Sequence, residues 1–297
     1  MLITITHAVD GLAAGALYGV AGAAFLLSAR FGTGWNAAIA GYASWAAVVA
    51  IFVARQTDLP FLFTLLAGMT AGATIALAVE AALLPLRRAA EARMFVVVAG
   101  IAAWIALDGL ATAAVGTAGI SFPPETYPTS AFGDDAAMLR MIAVLDIAAL
   151  ALVTFIVHRG LTATPIGLAL RAHGFDPLAA ALGGVHPLRI ILLVAVCSGA
   201  LAGLAGVLAA GAGGAVTAAV GVGLLGKGAA AALLGGGRIR RVALAGLAIG
   251  LGEATFSDTW PQFWPLIPWQ GAAATLLLAV VVVRPRGLLA TADMLGR

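Results

Sequence analysis

Three stretches of this sequence, residues 11–29, 31–54 and 59–79, contain no charged side chain. Each is close to the roughly 20 residues that a helix needs to cross a hydrocarbon layer about 30 Å thick. In such a layer every backbone N–H and C=O must be satisfied within the chain, so apolar runs of this length fold as helices. Charges sit at their boundaries, at Asp10, Arg30, Arg55, Asp58 and Glu80. Residues 94–118 and 141–157 are interrupted only by Asp108 and Asp146. Residues 190–226 form a charge-free run of 37, and on to residue 237 only Lys227 interrupts it. That length accommodates two passes, with a turn expected at Gly211, Gly213 and Gly214. Residues 242–256, carrying Glu253, and 270–283 complete the set. The pattern predicts an all-α, polytopic helical bundle in the membrane with about nine spans, or eight to ten if the glycine-rich 214–237 region is broken or re-entrant. All 297 residues form one transmembrane domain in this reading.

Composition excludes the alternatives. The chain is 62% hydrophobic and 10% charged, with a mean hydropathy of +1.07, whereas soluble domains carry about 25% charged residues. Sixteen basic and thirteen acidic side chains cannot coat a water-facing surface of this size, which excludes a soluble enzyme and a disordered chain. The net charge of +3 is spread in short clusters between apolar runs and gives no nucleic-acid patch, so the expected surroundings are a lipid bilayer. The lone Cys197 allows no intramolecular disulfide. No Lys or Arg precedes the first apolar run, so that run is expected to be a retained helix and not a cleaved signal.

Arginine sets the expected orientation, because loops on the cytoplasmic side carry the excess of basic residues. With nine crossings starting from outside, the inner segments hold Arg30, the 87–93 and 159–189 clusters, the 238–241 cluster and the C-terminal arginines. That is thirteen of the fifteen, leaving Arg55 and Arg140 outside. The N-terminus is therefore expected outside and the C-terminus in the cytoplasm. The 257–270 segment, SDTWPQFWPLIPWQ, holds three of the six tryptophans. It is expected as an outer loop that lies at the membrane–water interface or covers a substrate entrance. Small residues recur at helical spacing, as in Gly11 and Gly15, Gly199 and Gly203, and Gly246 and Gly250. Such spacing lets helix backbones approach closely in lipid.

Familiar catalytic patterns are missing or fail on inspection. Gly221 to Lys227 fits the start of a phosphate-binding loop, but Gly228 stands where a magnesium-holding Ser or Thr is required. His7, His158, His173 and His186 are far apart in sequence and have no metal-ligand spacing, and neither GxSxG nor HExxH occurs. Neither a catalytic site, a metal nor a cofactor is expected. Ionisable groups within spans are costly and therefore mark function or a deliberate structural pair. Here they are Asp108, Asp146, Lys227 and Glu253, and Lys227 with Glu253, on consecutive helices, is the expected ion pair. It either fixes helix rotation or lines a substrate path.

The inner segment 158–189 is far longer than a turn requires. Thr164 followed by Pro165 is a helix cap with proline at the first helical position, and Asp176 followed by Pro177 repeats the device. Glycine at 174 and at 183–184 supplies helix ends. Two short capped helices are expected, with Leu178, Ala179, Ala180 and Leu182 needing cover from lipid, the bundle or a partner protein.

Several stretches together resemble the permease subunit of bacterial branched-chain amino-acid ABC importers. They are Pro85-Leu86-Arg87; Gly167-Leu-Ala-Leu-Arg171-Ala with Ala179-Ala-Ala-Leu-Gly183; Gly226-Lys227 with Ala229-Ala-Ala-Ala-Leu-Leu-Gly-Gly236; Gly250-Leu-Gly-Glu253; and Arg284-Pro-Arg-Gly287-Leu-Leu. In order and spacing they cover most of the chain. Two departures stand out. Of the family's Asn-Phe-Ala-His-Gly only Asn36 is kept, and Arg238-Ile-Arg-Arg241 follows the glycines at 235–237 where small residues and Pro-Gly are usual.

The resemblance implies a multi-pass protein of the bacterial inner membrane that forms the translocation pathway for branched-chain or related small amino acids. Amides or urea are the next candidates. It implies a second permease subunit, the same or homologous, together with cytoplasmic ATPase subunits that perform the hydrolysis and a periplasmic substrate-binding protein. It also implies that the loop around Gly167, Arg171, Asp176, Pro177, Leu178, Leu182 and Gly183 couples to the ATPase. Asn36, Asp108, Asp146, Lys227 and Glu253 are the candidates for the pathway or an intramembrane ion pair. The competing classes are an ion-coupled secondary transporter using Asp108 or Asp146 and a membrane enzyme, for which the acids are too scattered.

Overall fold

The computed structural model describes residues 5–32, 34–57, 60–85, 92–116, 118–123, 131–132, 139–216 and 220–263. They form an all-α bundle. The first five helices are α1 (Ile5–Phe31), α2 (Ala38–Gln56), α3 (Phe61–Leu83), α4 (Ala92–Val115) and α5 (Met141–Ala163). Next come the short α6 (Pro165–Phe175) and α7 (Pro177–Leu182), followed by α8 (Pro187–Ala212), α9 (Val220–Leu234) and α10 (Ile239–Phe263). Two antiparallel strand pairs decorate it, β1 (Ile120–Ser121) with β4 (Ala215–Val216), and β2 (Ala131–Phe132) with β3 (Leu139–Arg140).

Six of the described helices, α1 to α5 and α8, are long and apolar enough to cross a membrane. Together they make the chain a multi-pass membrane protein. The 37-residue charge-free run divides after Ala212, where Gly213 and Gly214 turn the chain and Gly214 takes a φ of +71°. Gly211, expected in the turn, is still helical. The second half of that run enters α9, which at 15 residues is only about 22 Å long and shorter than a hydrocarbon core. Past Phe31, the end of α1, the 31–54 run becomes helical again only at Ala38, and residues 32 and 34–37 are non-helical, with Gly34 at a φ of +107°. One residue ahead of the Ala37 cap position, Asn36 Oδ1 accepts the Ala38 N–H at 3.0 Å.

One expectation is corrected. Residues 257–263 are not loop, because α10 continues to Phe263 through Pro261. Residues 264–297, including the 270–283 span, lie outside the described residues.

Close backbone approach organises the bundle. α1 and α10 run antiparallel, with Gly11 against Gly250 and Ala254, Gly15 against Gly246 and Leu247, and Gly19 against Ala243. α3 and α8 repeat the arrangement, with Gly72 against Gly199 and Gly203, and Gly68 against Gly203 and Val207. Each glycine on both seams faces neighbouring backbone or a side chain where a Cβ would be, which is how small residues bring helices together in lipid. α1, α2 and α8 form the buried centre, whereas α4 packs on α2 at the edge with few fully buried residues, as suits a lipid-facing or partner-facing helix.

Candidate functional site

Local chemistry builds the α5–α8 loop as two rigid steps. α5 continues past Arg159 to Ala163, so the loop proper starts at Thr164. The Thr164 hydroxyl accepts the Gly167 N–H at 3.0 Å, with Pro165 at the first helical position. Asp176 Oδ1 accepts the N–H groups of Leu178 and Ala179 at 2.9 and 3.0 Å, fixing the start of α7 on Pro177. At its end the Gly184 N–H bonds the Ala181 carbonyl and the Val185 N–H bonds the Ala180 carbonyl, while Gly184 takes a φ of +89°. This is the paired closure of a left-handed helix end. Arg171 stays on α6, its Nε bonding the Gly167 carbonyl at 3.4 Å. Leu178 and Leu182 stand 72% and 84% exposed on α7, beside a cleft of about 650 Å³ lined by Leu168, Ala172, Phe175 and Ala179. Next to the cleft, His173 is buried and its Nδ1 meets no hydrogen-bond partner among the described residues. Burial pushes its pKa below the ordinary 6.5.

A second cluster lies where α1, α9 and α10 meet. Lys227 Nζ sits 2.7 Å from Glu253 Oε1 and donates to Glu253 Oε2 at 2.9 Å. It also donates to the Tyr18 hydroxyl at 2.8 Å, and that hydroxyl in turn donates to Glu253 Oε2 at 2.7 Å. The ammonium lies 4.7 Å from the centre of the Tyr18 ring, within cation–π range. Lys227 and Glu253 form the ion pair expected from their places on consecutive helices, whereas Tyr18 is not among the residues the sequence singles out. Its only signal is a hydroxyl-bearing aromatic in the middle of a charge-free run.

The remaining sequence candidates fall elsewhere. Asn36 is buried and its Nδ2 donates to Glu80 Oε1 at 3.2 Å and to the Tyr42 hydroxyl at 3.5 Å. Glu80, read from the sequence as a boundary charge, is 5% exposed inside the bundle. Asp108 accepts from the Ser44 hydroxyl at 3.3 Å, and the Ser44 oxygen accepts the Gly221 N–H at 3.2 Å, which links α2, α4 and α9. Asp146 is buried on α5. Of the four ionisable span residues, Lys227 and Glu253 pair, Asp108 stands on α4 and Asp146 on α5. The Gly221–Gly228 stretch lies inside α9 and not in a loop between strand and helix, and the Gly221 N–H at its start goes to Ser44 Oγ, so the resemblance to a phosphate-binding loop stops at the sequence.

Residues 7–283 match the family model described as the permease component of the branched-chain amino acid transport system. The chain belongs to this permease family. It is accordingly a transporter subunit and not an enzyme. No curated protein and no solved structure matches the permease. The match spans both clusters, the capped α6–α7 loop and the Tyr18–Lys227–Glu253 group.

Proposed function

We propose that the permease is the membrane subunit of an ATP-driven importer for branched-chain or related small amino acids in the bacterial inner membrane. It crosses nine times with the N-terminus outside and the C-terminus in the cytoplasm. This orientation is supported by the thirteen-to-two partition of arginine, and it puts the α6–α7 loop on the cytoplasmic side. The observation that carries the proposal is α7 itself. It is a helix capped at both ends that presents Leu178 and Leu182, 72% and 84% exposed, to whatever covers it.

The covering partner in this reading is a cytoplasmic ATPase subunit, one for each of two permease subunits. A periplasmic binding protein delivers the substrate from the other side. Gly167, Arg171, Asp176, Pro177, Leu178, Leu182 and Gly183 form the coupling surface. Closure of the ATPase pair pushes on α7, and the cap bonds leave α7 little room to absorb the movement. The displacement then passes through the short 183–186 link into α8, which packs on α1, α2 and α3 at the centre of the bundle. Two packings of that centre give outward and inward access in turn.

A tagged permease purified from gently solubilised membranes tests the proposal. Wild type is expected to bring an ATPase subunit with it, and the Leu178→Asp/Leu182→Asp variant is expected to lose it while retaining the thermal stability of the wild type. A wild-type preparation that brings down no ATPase overturns the importer assignment.

A further inference from the structure

We propose that Lys227, Glu253 and Tyr18 recognise the charged head of a free amino acid as it passes through the permease, Lys227 taking the α-carboxylate and Glu253 the α-ammonium. This deepens the importer reading and rests on it.

The group is opposite in sign and compact. An ammonium, a carboxylate and a phenol close a ring of hydrogen bonds with every distance between 2.7 and 2.9 Å. A zwitterionic amino acid carries the same two charges on one carbon, so it is the mirror of this pair. The ring is also reachable. The Lys227 and Glu253 side chains are 20% and 12% exposed. Beside them, a Cβ built at Gly223 or Gly226 on α9, or at Gly252 on α10, would meet nothing within 4 Å. The open face next to the pair is therefore bare backbone with room in front of it.

That face is not built for lipid. Where α4 and α5 face outward they present large apolar side chains, among them Val98, Ile105, Leu152 and Phe155, all at least 55% exposed. The α9 face carries Gly223, Gly226 and Lys227 beside a single exposed apolar side chain, Val222. Ionisable groups in spans face the bundle interior or a water-filled cavity, and an open glycine face flanking an ion pair fits the second case. The space left by the glycines takes the aliphatic part of the substrate.

Exchange also balances energetically. In the empty protein Lys227 and Glu253 satisfy each other, which avoids the large cost of an unpaired charge away from water. When a zwitterion enters, one internal pair is replaced by two pairs of the same kind. The Tyr18 hydroxyl swings its proton from Glu253 to the ligand carboxylate. A simple cation would satisfy Glu253 and strand Lys227, and a simple anion would do the reverse. The ring thus passes zwitterions and refuses ions of one sign.

The test uses the assembled importer in proteoliposomes, with leucine as probe and two readouts: ATP hydrolysis stimulated by the loaded binding protein, and leucine uptake. The Lys227→Met/Glu253→Gln variant removes both charges and strands neither. It is expected to raise the KM for leucine uptake by about thirtyfold or more, with measurable stimulated hydrolysis showing that the complex still assembles. The Lys227→Glu/Glu253→Lys exchange restores the internal pair with the charges transposed, and it is expected to assemble without recovering the wild-type KM. Wild-type KM in either variant means that the pair only holds helices together, and it overturns the proposal while leaving the importer reading intact. Failure of the wild-type assembly to take up any aliphatic amino acid brings down the importer reading and this inference with it.

Discussion

Gly250 is the sharpest point at which to test the packing. It sits in the middle of the α1–α10 seam, and a Cβ built there runs into the Gly11 carbonyl oxygen and into Gly15 N and Cα, all inside van der Waals contact. All three are helical backbone, so none can step aside as a flexible side chain would. Restoring normal contact requires the two helices to part by roughly 1 Å, which forfeits a quarter to a half of the dispersion attraction at each neighbouring contact. Overpacking of this kind costs about 1–3 kcal/mol, and the better helix propensity of alanine returns at most about 1 kcal/mol. Gly250→Ala is therefore expected to destabilise the protein by about 1–2 kcal/mol, a fall in Tm of about 2–4 °C. Gly252, two residues on, has nothing within 4 Å of its Cβ position, so Gly252→Ala should leave Tm unchanged or raise it slightly. Thermal unfolding of the two variants in the same detergent makes the comparison. Equal shifts, or an unshifted Gly250→Ala, would refute the idea that backbone contact holds this seam.

Three further predictions follow from single side chains. Asp176→Ala removes the acceptor for two N–H groups and should cost about 1 kcal/mol locally, read as about fivefold faster hydrogen exchange at the α7 amides with the rest of the bundle unaffected. Ser44→Ala takes the acceptor from the Gly221 N–H and the donor from Asp108, so it should cost about 1–3 kcal/mol in chemical unfolding, whereas Ser44→Thr, which keeps the hydroxyl, should cost less. His173 binds its proton more weakly when folded than when unfolded, so its contribution is complete above pH 6.5 and is lost as the pH falls below that value. Protease resistance of the α6–α7 loop should accordingly drop between pH 7.5 and 5.5 in wild type and stay flat in His173→Gln.

What the sequence reveals and what it hides divide along the range of the interactions. Thr164-Pro165 and Asp176-Pro177 announce α6 and α7 because a cap is made by neighbours in the chain, and both caps form where the residues stand. The long apolar helices are equally legible, since length without charge decides them. The non-helical Gly32 and residues 34–37 are harder, because they sit in a run whose composition alone matches a helix. α10 is harder still, since the prolines and tryptophans after residue 257 read as loop while the helix carries on to Phe263. The least visible features are those joined across the bundle. Ile120 pairs with Val216, and the Tyr18 hydroxyl reaches Glu253, 235 residues away. Glu80 belongs to the same class, because a carboxylate at the end of an apolar run reads as a boundary until Asn36 is seen folded back onto it.

The closeness of Lys227 to Glu253 also sets how the protein meets the membrane voltage. Two opposite charges 2.7 Å apart cancel almost completely in the transmembrane field, so this pair contributes almost no gating charge at rest. A lone charge on a mobile element is coupled to the field by up to about 2.3 kcal/mol per 100 mV when it crosses the whole drop. Neutralising one member of the pair therefore does more than break a contact. It converts an electrically silent joint into a voltage-sensitive one, and the single variants Lys227→Met and Glu253→Gln should respond to an imposed potential with opposite sign.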